Sequence, residues 1–130
     1  MGARLQYAKV VDRQVFYDHG GKVHPGLDNE VLLDHGKNTV AAFLVLRAWT
    51  DDHGSFTEQW RMESPRTGVV YESLPRELHL ADRKHVERLE DEVSELELDY
   101  PEDRHEIVFL LEDAEVARVR VPIRSVTPPG

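Results

Sequence analysis

The alternation of apolar and polar residues along this chain predicts a succession of short β-strands. Within the central stretch Thr39–Tyr71, the run Val40–Leu46 is uncharged, rich in β-forming residues and too short to span a membrane. Such a run is typical of a strand buried on both faces, although a buried helix segment has a similar composition. Turn-forming residues at Trp49–Ser55 favour the strand, and Phe56–Met62 then alternates with a period of two. Together with Val69–Glu72, these segments predict a three-stranded meander.

Further strands are predicted on both sides of this meander. They are one or two strands within Ala3–Tyr17, short segments at Lys22–Gly26 and Val31–Leu33, an extended segment at Leu74–Leu80, and strands at Glu95–Tyr100, His105–Leu111 and Val116–Ile123. One helix is predicted at Arg83–Val93, because Val86, Leu89 and Val93 recur at helical spacing and Asp82 precedes them as an N-cap.

These elements predict a mainly β fold, an antiparallel two-sheet β-sandwich (Ig/C2-like) with one short helix. A partly open β-barrel is the alternative, since the number of strands does not separate the two. We expect one domain over residues 1–124 and a flexible C-terminal tail at 125–130. Trp49 and Trp60 are expected at the packed centre, because a buried tryptophan removes about 150–250 Å² from water.

Composition indicates a globular protein of one domain. The chain has 130 residues, of which 40% are hydrophobic and 32% are charged, and it has no cysteine. This excludes disulfides, thiol chemistry and thiolate metal sites, and it fits the reducing cytoplasm. The first residues lack the apolar core of a signal peptide, and no segment approaches about 20 apolar residues. We therefore expect a cytoplasmic protein without a membrane partner.

The formal net charge of −9, with acids concentrated between Glu87 and Glu106, argues against nucleic acid as a partner. Phosphates would be repelled, and no basic stripe in the sequence compensates. The charge instead indicates a soluble chain. We expect no nucleic acid among its partners.

The tripeptide Asp-His-Gly occurs three times and is the most distinctive local motif. Its candidate metal ligands are His19, His35 and His53 together with Asp18, Asp34 and Asp52. Imidazole is a common ligand of zinc and copper, and carboxylates suit calcium, so a divalent metal would be the cofactor if the three turns converged. Asp and Gly are also the residues that solvated turns prefer. Turns alone are therefore the competing interpretation, with no cofactor.

Catalytic motifs are absent from the sequence. There is no Gly-rich phosphate loop, no Gly-x-Ser-x-Gly elbow and no His-Glu-x-x-His helix. The chain is therefore expected not to be an enzyme. Trp49 could line a small-ligand site if it lay at the rim of the meander near Asp51 and His53.

Much of the chain resembles a family of uncharacterised bacterial β-sandwich domains. The similar segments are Tyr7–Asp12, Asp18–Val23 and Pro25–Leu27 at the start, the apolar strand Val40–Leu46, the acidic strand Leu96–Tyr100 and the closing hairpin Glu106–Ile123. The predicted helix at Arg83–Val93 departs from this pattern. Because the family has no known activity, the resemblance implies a fold and no function.

The function expected from the sequence is a non-enzymatic cytosolic binding or assembly module. Its partner would be another protein or a second copy of the chain, through an edge strand or the acidic helix. The alternative is a metal- or small-ligand-binding protein that uses the Asp-His-Gly turns.

Overall fold

The computed structural model describes residues 2–34 and 36–125 and shows a mainly β fold with antiparallel sheets. In chain order the elements of these ranges are β1 (Arg4–Asp12), α1 (Arg13–Asp18), β2 (Val31–Leu33), β3 (Phe43–Thr50), β4 (Gly54–Ser64), β5 (Gly68–Glu72), β6 (Arg76–Leu80), β7 (Glu87–Val93), β8 (His105–Leu111), β9 (Ala114–Val121) and β10 (Ile123–Ser125). No helix among them is long and apolar enough to cross a membrane.

The strands form two main sheets, which confirms the predicted β-sandwich-like fold. The first sheet has the order β1-β3-β7, with antiparallel pairing throughout. The second has the order β5-β4-β8-β9. Strand β6 also pairs with β4, along its first half, whereas β5 pairs with its second half. A short parallel pair, β10 with β2, completes the fold.

Strand β3 is buried on both faces, as its composition predicts. Phe43, Val45 and Trp49 belong to the main core between the sheets. The intervening Leu44 and Leu46 belong to a second cluster outside the sheet. This arrangement follows from the period of two, since successive side chains of a strand point to opposite faces.

Both tryptophans lie in the main core, as predicted. Trp49 is 0% exposed and Trp60 is 1% exposed. Trp60 also stacks on Tyr71, with ring centroids 5.4 Å apart. Strands β3 and β4 therefore supply the largest side chains of the core. The predicted three-stranded meander is wrong, because β3 belongs to the first sheet whereas β4 and β5 belong to the second.

The short helix lies elsewhere in the chain than the sequence pattern predicts. Helix α1 directly follows β1, and the Asp12 carboxylate caps it by accepting the Val15 N–H at 3.1 Å. The predicted helix at Arg83–Val93 is wrong, because strand β7 occupies most of that segment.

The reason for this error is a charged residue on the inner face of β7. Leu89, Asp91 and Val93 alternate inward with a period of two, and Asp91 hydrogen-bonds within the sandwich. A carboxylate at an inward position hides the alternation of a strand. The apolar residues that remain then mimic the spacing of a helix.

Two other predicted strands are mostly irregular chain. Lys22–Gly26 contains no strand, and within Glu95–Tyr100 only Glu97 forms a β-bridge, with Thr39. Ser125, predicted to begin the tail, ends β10. Residues 126–130 of the predicted tail lie outside the described ranges.

Candidate functional site: a cationic groove on the outer face of the first sheet

The outer face of the first sheet carries two cross-strand rows of side chains. The register of β1, β3 and β7 places Tyr7, Ala48 and Arg88 in one row. The next row contains Lys9, Leu46 and Glu90. Since directly opposed side chains lie about 4.5–5.5 Å apart, each row forms a continuous surface across the three strands.

Helix α1 and the chain after it cover one side of this surface. Phe16 of α1 is buried and packs with Leu46 in the second hydrophobic cluster. Tyr7 and Val23 pack partly buried against the same cluster. Between this cover and the sheet lies an open groove of about 710 Å³.

The groove has apolar and aromatic walls and three cations among its lining residues. Tyr7, Phe16 and Leu46 contribute the apolar surface, and Lys9, Lys22 and Arg88 contribute the positive charges. Ala48, between Tyr7 and Arg88 in the first row, is fully buried.

These three cations form no ion pair with the described residues. Every ion pair within residues 2–34 and 36–125 uses other basic side chains. The Lys9 ammonium donates to the carbonyl oxygen of Leu27 at 2.8 Å, a neutral partner that fixes its position. Lys22 and Arg88 are exposed. The groove therefore holds positive charge that no carboxylate of the described chain neutralises.

One acid also lines the groove. The Glu90 carboxylate accepts a hydrogen bond from the Tyr17 hydroxyl at 3.5 Å, and it lies in the same row as Lys9. Glu92 follows on the same face of β7 and pairs with Arg13 at 3.0 Å. The positive lining thus ends at an acidic border on β7.

A second polar cluster lies inside the sandwich and joins the two sheets. The Arg47 guanidinium donates to both carboxylate oxygens of Glu58, at 2.8 and 2.7 Å, and both side chains are 0% exposed. The indole N–H of Trp49 donates to Glu58, and that of Trp60 donates to Asp91. In the described part of the chain no buried side-chain polar atom lacks a partner. The Arg47–Glu58 pair at its centre is fully satisfied and closed to solvent, so its role is structural.

Neither polar feature was identified from the sequence. Tyr7, Lys22 and Arg88 are far apart in the chain and meet only through the pairing of β1, β3 and β7. Arg47 follows an apolar run and Glu58 breaks an alternating one, which is the only sequence signal for the buried pair.

The first and third Asp-His-Gly motifs lie in different connections of the fold. Asp18 ends helix α1 and His19 caps it. Asp52 and His53 lie between β3 and β4. Gly20, Gly36 and Gly54 all have positive φ, the conformation for which glycine is suited in turns.

The described residues contain no group of three or more His, Asp or Glu side chains that could hold a metal ion. Asp34 is exposed, and His35 lies outside the described ranges. The Nδ1 atom of His19 lies 2.8 Å from the carbonyl oxygen of Val15, and the Asp52 carboxylate accepts the N–H of His53 at 2.8 Å. The metal site with all six ligands remains a prediction. Trp49 lies in the core and not at a rim, so it lines no surface groove.

Comparison with known proteins identifies a solved structure with a similar fold. The chain matches no family model and no curated sequence. Its structure is similar to that of Pseudomonas fluorescens alkylpurine DNA glycosylase AlkC bound to DNA containing an abasic site analog, with a TM-score of 0.58 and 8% sequence identity. The match covers 94% of this chain and 30% of that chain, so this chain spans about a third of the length of its neighbour. At this identity the similarity shows the fold.

This finding corrects three expectations drawn from the sequence. A non-enzymatic binding or assembly module, with the Asp-His-Gly site as its alternative, is contradicted by a neighbour that is a DNA glycosylase. The expectations of no enzyme and of a protein partner without nucleic acid are contradicted by the same DNA-bound enzyme. The physical reason is that net charge describes the whole chain, whereas a contact with DNA depends on the charges within about a Debye length of it, roughly 8–10 Å.

Proposed function

We propose that this chain is a DNA-binding domain that serves a DNA-processing enzyme, and that it contacts DNA through the groove on the outer face of the first sheet. The observation that carries the proposal is the set of three cations, Lys9, Lys22 and Arg88, that line one groove without an ion-pair partner among the described residues. The DNA-bound neighbour of the same fold supports it.

The chemistry of the groove suits a phosphate backbone. Lysine and arginine side chains neutralise phosphates and release bound counterions, which supplies most of the free energy of non-specific DNA binding. The remaining surface is acidic, so it limits the contact to the groove. We expect weak binding without strong sequence preference, with a Kd on the order of 10⁻⁴–10⁻⁶ M at physiological salt and a lower Kd at low salt.

The test is fluorescence anisotropy of a labelled DNA duplex titrated with the protein at several salt concentrations. If two or three phosphates are neutralised, log Kobs falls with log salt with a slope of about −2 to −3. The variant Lys22→Glu/Arg88→Glu should lose measurable binding. Its matched control is Arg104→Glu/Arg120→Glu, which changes the net charge equally at exposed sites outside the groove and should bind nearly as the wild type does.

Two results would overturn the proposal. One is the absence of binding at low salt both to duplexes, with and without an abasic site, and to a single strand. The other is an equal loss of binding in the two double variants, which would show that net charge alone is responsible.

A further inference from the structure

We propose that the groove binds an unpaired nucleotide of a DNA strand, with the base against Tyr7 and the flanking phosphates on Lys22 and Arg88. This rests on the proposed function and specifies its ligand. In this proposal the aromatic side chain contacts the base and the cations contact the phosphates.

The aromatic lining requires a ligand with an exposed flat face. Tyr7 is half-buried and lines the groove. Leu46 and the buried Phe16 extend the apolar surface. A duplex keeps its bases stacked inside, so it could reach the cations but not this apolar surface. A single-stranded or splayed-out base can stack on an aromatic ring, and such stacking tolerates any base.

The volume of the groove suits one or two nucleotide units and no longer segment. Sites for small molecules and cofactors occupy about 300–1,000 Å³, and this groove of about 710 Å³ lies within that range. Its lining combines apolar side chains with six polar or charged ones, Gln6, Lys9, Lys22, His24, Arg88 and Glu90.

The charges around the groove favour one strand over two. Glu90 lines the groove in the row of Lys9, and Glu92 lies one row further along the outer face of β7. Both side chains already have partners, Tyr17 and Arg13, which hold them at this border. The phosphates of a second strand would meet these carboxylates, whereas one strand can follow the cations alone.

The experiment compares a single strand with a duplex on variants of Tyr7. The ligands are labelled oligothymidine of about eight nucleotides and a labelled hairpin duplex, both followed by anisotropy. Labelled DNA is needed because both tryptophans are buried, so their fluorescence does not report on the groove. Tyr7→Leu keeps an apolar side chain but removes the ring, and Tyr7→Phe keeps the ring.

We expect the wild type to prefer oligothymidine to the duplex. Tyr7→Leu should weaken the binding of oligothymidine by about 5- to 150-fold, the range measured for loss of one base–aromatic stack. Tyr7→Phe should bind oligothymidine as the wild type does. Tyr100→Leu removes an exposed ring outside the groove lining and is the control. A thermal melt of each variant verifies that it is folded.

The outcomes separate this inference from the proposed function. If duplex binds as tightly as oligothymidine and Tyr7→Leu alters neither, the groove binds phosphates only and this inference is wrong while the proposed function stands. If neither DNA binds, both fail. A preference for oligothymidine that Tyr7→Leu abolishes and Tyr7→Phe restores supports both.

Discussion

The ion pair between Arg47 and Glu58 predicts a large loss of stability when either partner is replaced alone. Both side chains are 0% exposed, and two hydrogen bonds of 2.8 and 2.7 Å join the first sheet to the second. Replacing Glu58 by Gln removes the bidentate partner of a buried guanidinium and leaves it only the Asp91 carboxylate, at 3.1 Å, as a counter-charge. Replacing Arg47 by Met leaves a buried carboxylate whose remaining partner is the Trp49 indole N–H at 3.3 Å.

The expected cost of each single replacement is about 3–5 kcal/mol in the free energy of unfolding. A domain of this size has a total stability of about 5–15 kcal/mol, so either variant would lose a large fraction of it. The melting temperature should fall by about 10–20 °C, because each kcal/mol corresponds to about 4 °C at this chain length.

The double variant Arg47→Met/Glu58→Gln measures the coupling free energy between the two residues separately from their interactions with other side chains. It removes both charges and keeps a carbonyl oxygen that can accept the Trp49 N–H. We expect it to cost less than the sum of the single variants, with a coupling free energy of at least about 2 kcal/mol. The matched control is Arg124→Met, which breaks a pair with Glu30 of similar length, 2.9 Å, in which the arginine side chain is 66% exposed. It should cost less than about 1 kcal/mol.

Urea unfolding followed by tryptophan fluorescence measures these differences. Trp49 and Trp60 both donate to carboxylates of this cluster, so their emission reports on its loss. Single variants that cost less than about 1 kcal/mol, or a double variant whose cost equals the sum, would refute the claim that the buried pair acts as a unit.

Three further predictions concern the helix cap, one turn and acid stability. Asp12→Ala removes the N-cap of the short helix and should lower the free energy of unfolding by about 1 kcal/mol in urea unfolding. Gly54→Ala should cost more than about 1 kcal/mol, because Gly54 has a φ of 110°, which alanine rarely adopts, and a melt that matches the wild type would contradict this. Arg118 holds the pKa of Glu115 below its usual value, and hydrogen bonds from Arg61 and Arg118 lower that of Glu63. The stability that these lowered pKa values provide is present above the pKa of the carboxyl groups in the unfolded chain and is lost on acidification. The difference in melting temperature between the wild type and Arg118→Gln should therefore be largest near pH 7 and shrink below about pH 4. A difference that grows on acidification would contradict this assignment.

The sequence predicts those strands of this fold whose inward side chains are apolar. Val40–Leu46 and His105–Leu111 have this property and lie in β3 and β8 or directly before them. Strand β7 was mistaken for a helix because its inward Asp91 is charged, and only the partners of Asp91 on other strands make that position tolerable. A local pattern contains no information about those partners, because they belong to β3, β4 and β6.

The candidate site could not be predicted for a related reason. Its cations come from β1, from the chain after α1 and from β7, and no two of them are neighbours in sequence. The only sequence signal for the site was the presence of these three basic residues in an acidic chain. Net charge concealed this signal, because it adds Lys22 and Arg88 to carboxylates that lie elsewhere on the molecule.

Strand β3 links the interior of the sandwich to its proposed function. Its inward Arg47 fixes the first sheet to the second through Glu58, and its outward Leu46 lines the groove between the cations of β1 and β7. Neighbouring residues of β3 therefore link the two sheets and line the groove, because successive side chains of a strand point to opposite faces. Variants of Lys22 and Arg88 should consequently change DNA binding without changing the unfolding free energy by more than about 0.5 kcal/mol, the usual limit for exposed substitutions. Loss of Arg47 should lower stability first, and it should reduce DNA binding only to the extent that the folded fraction falls.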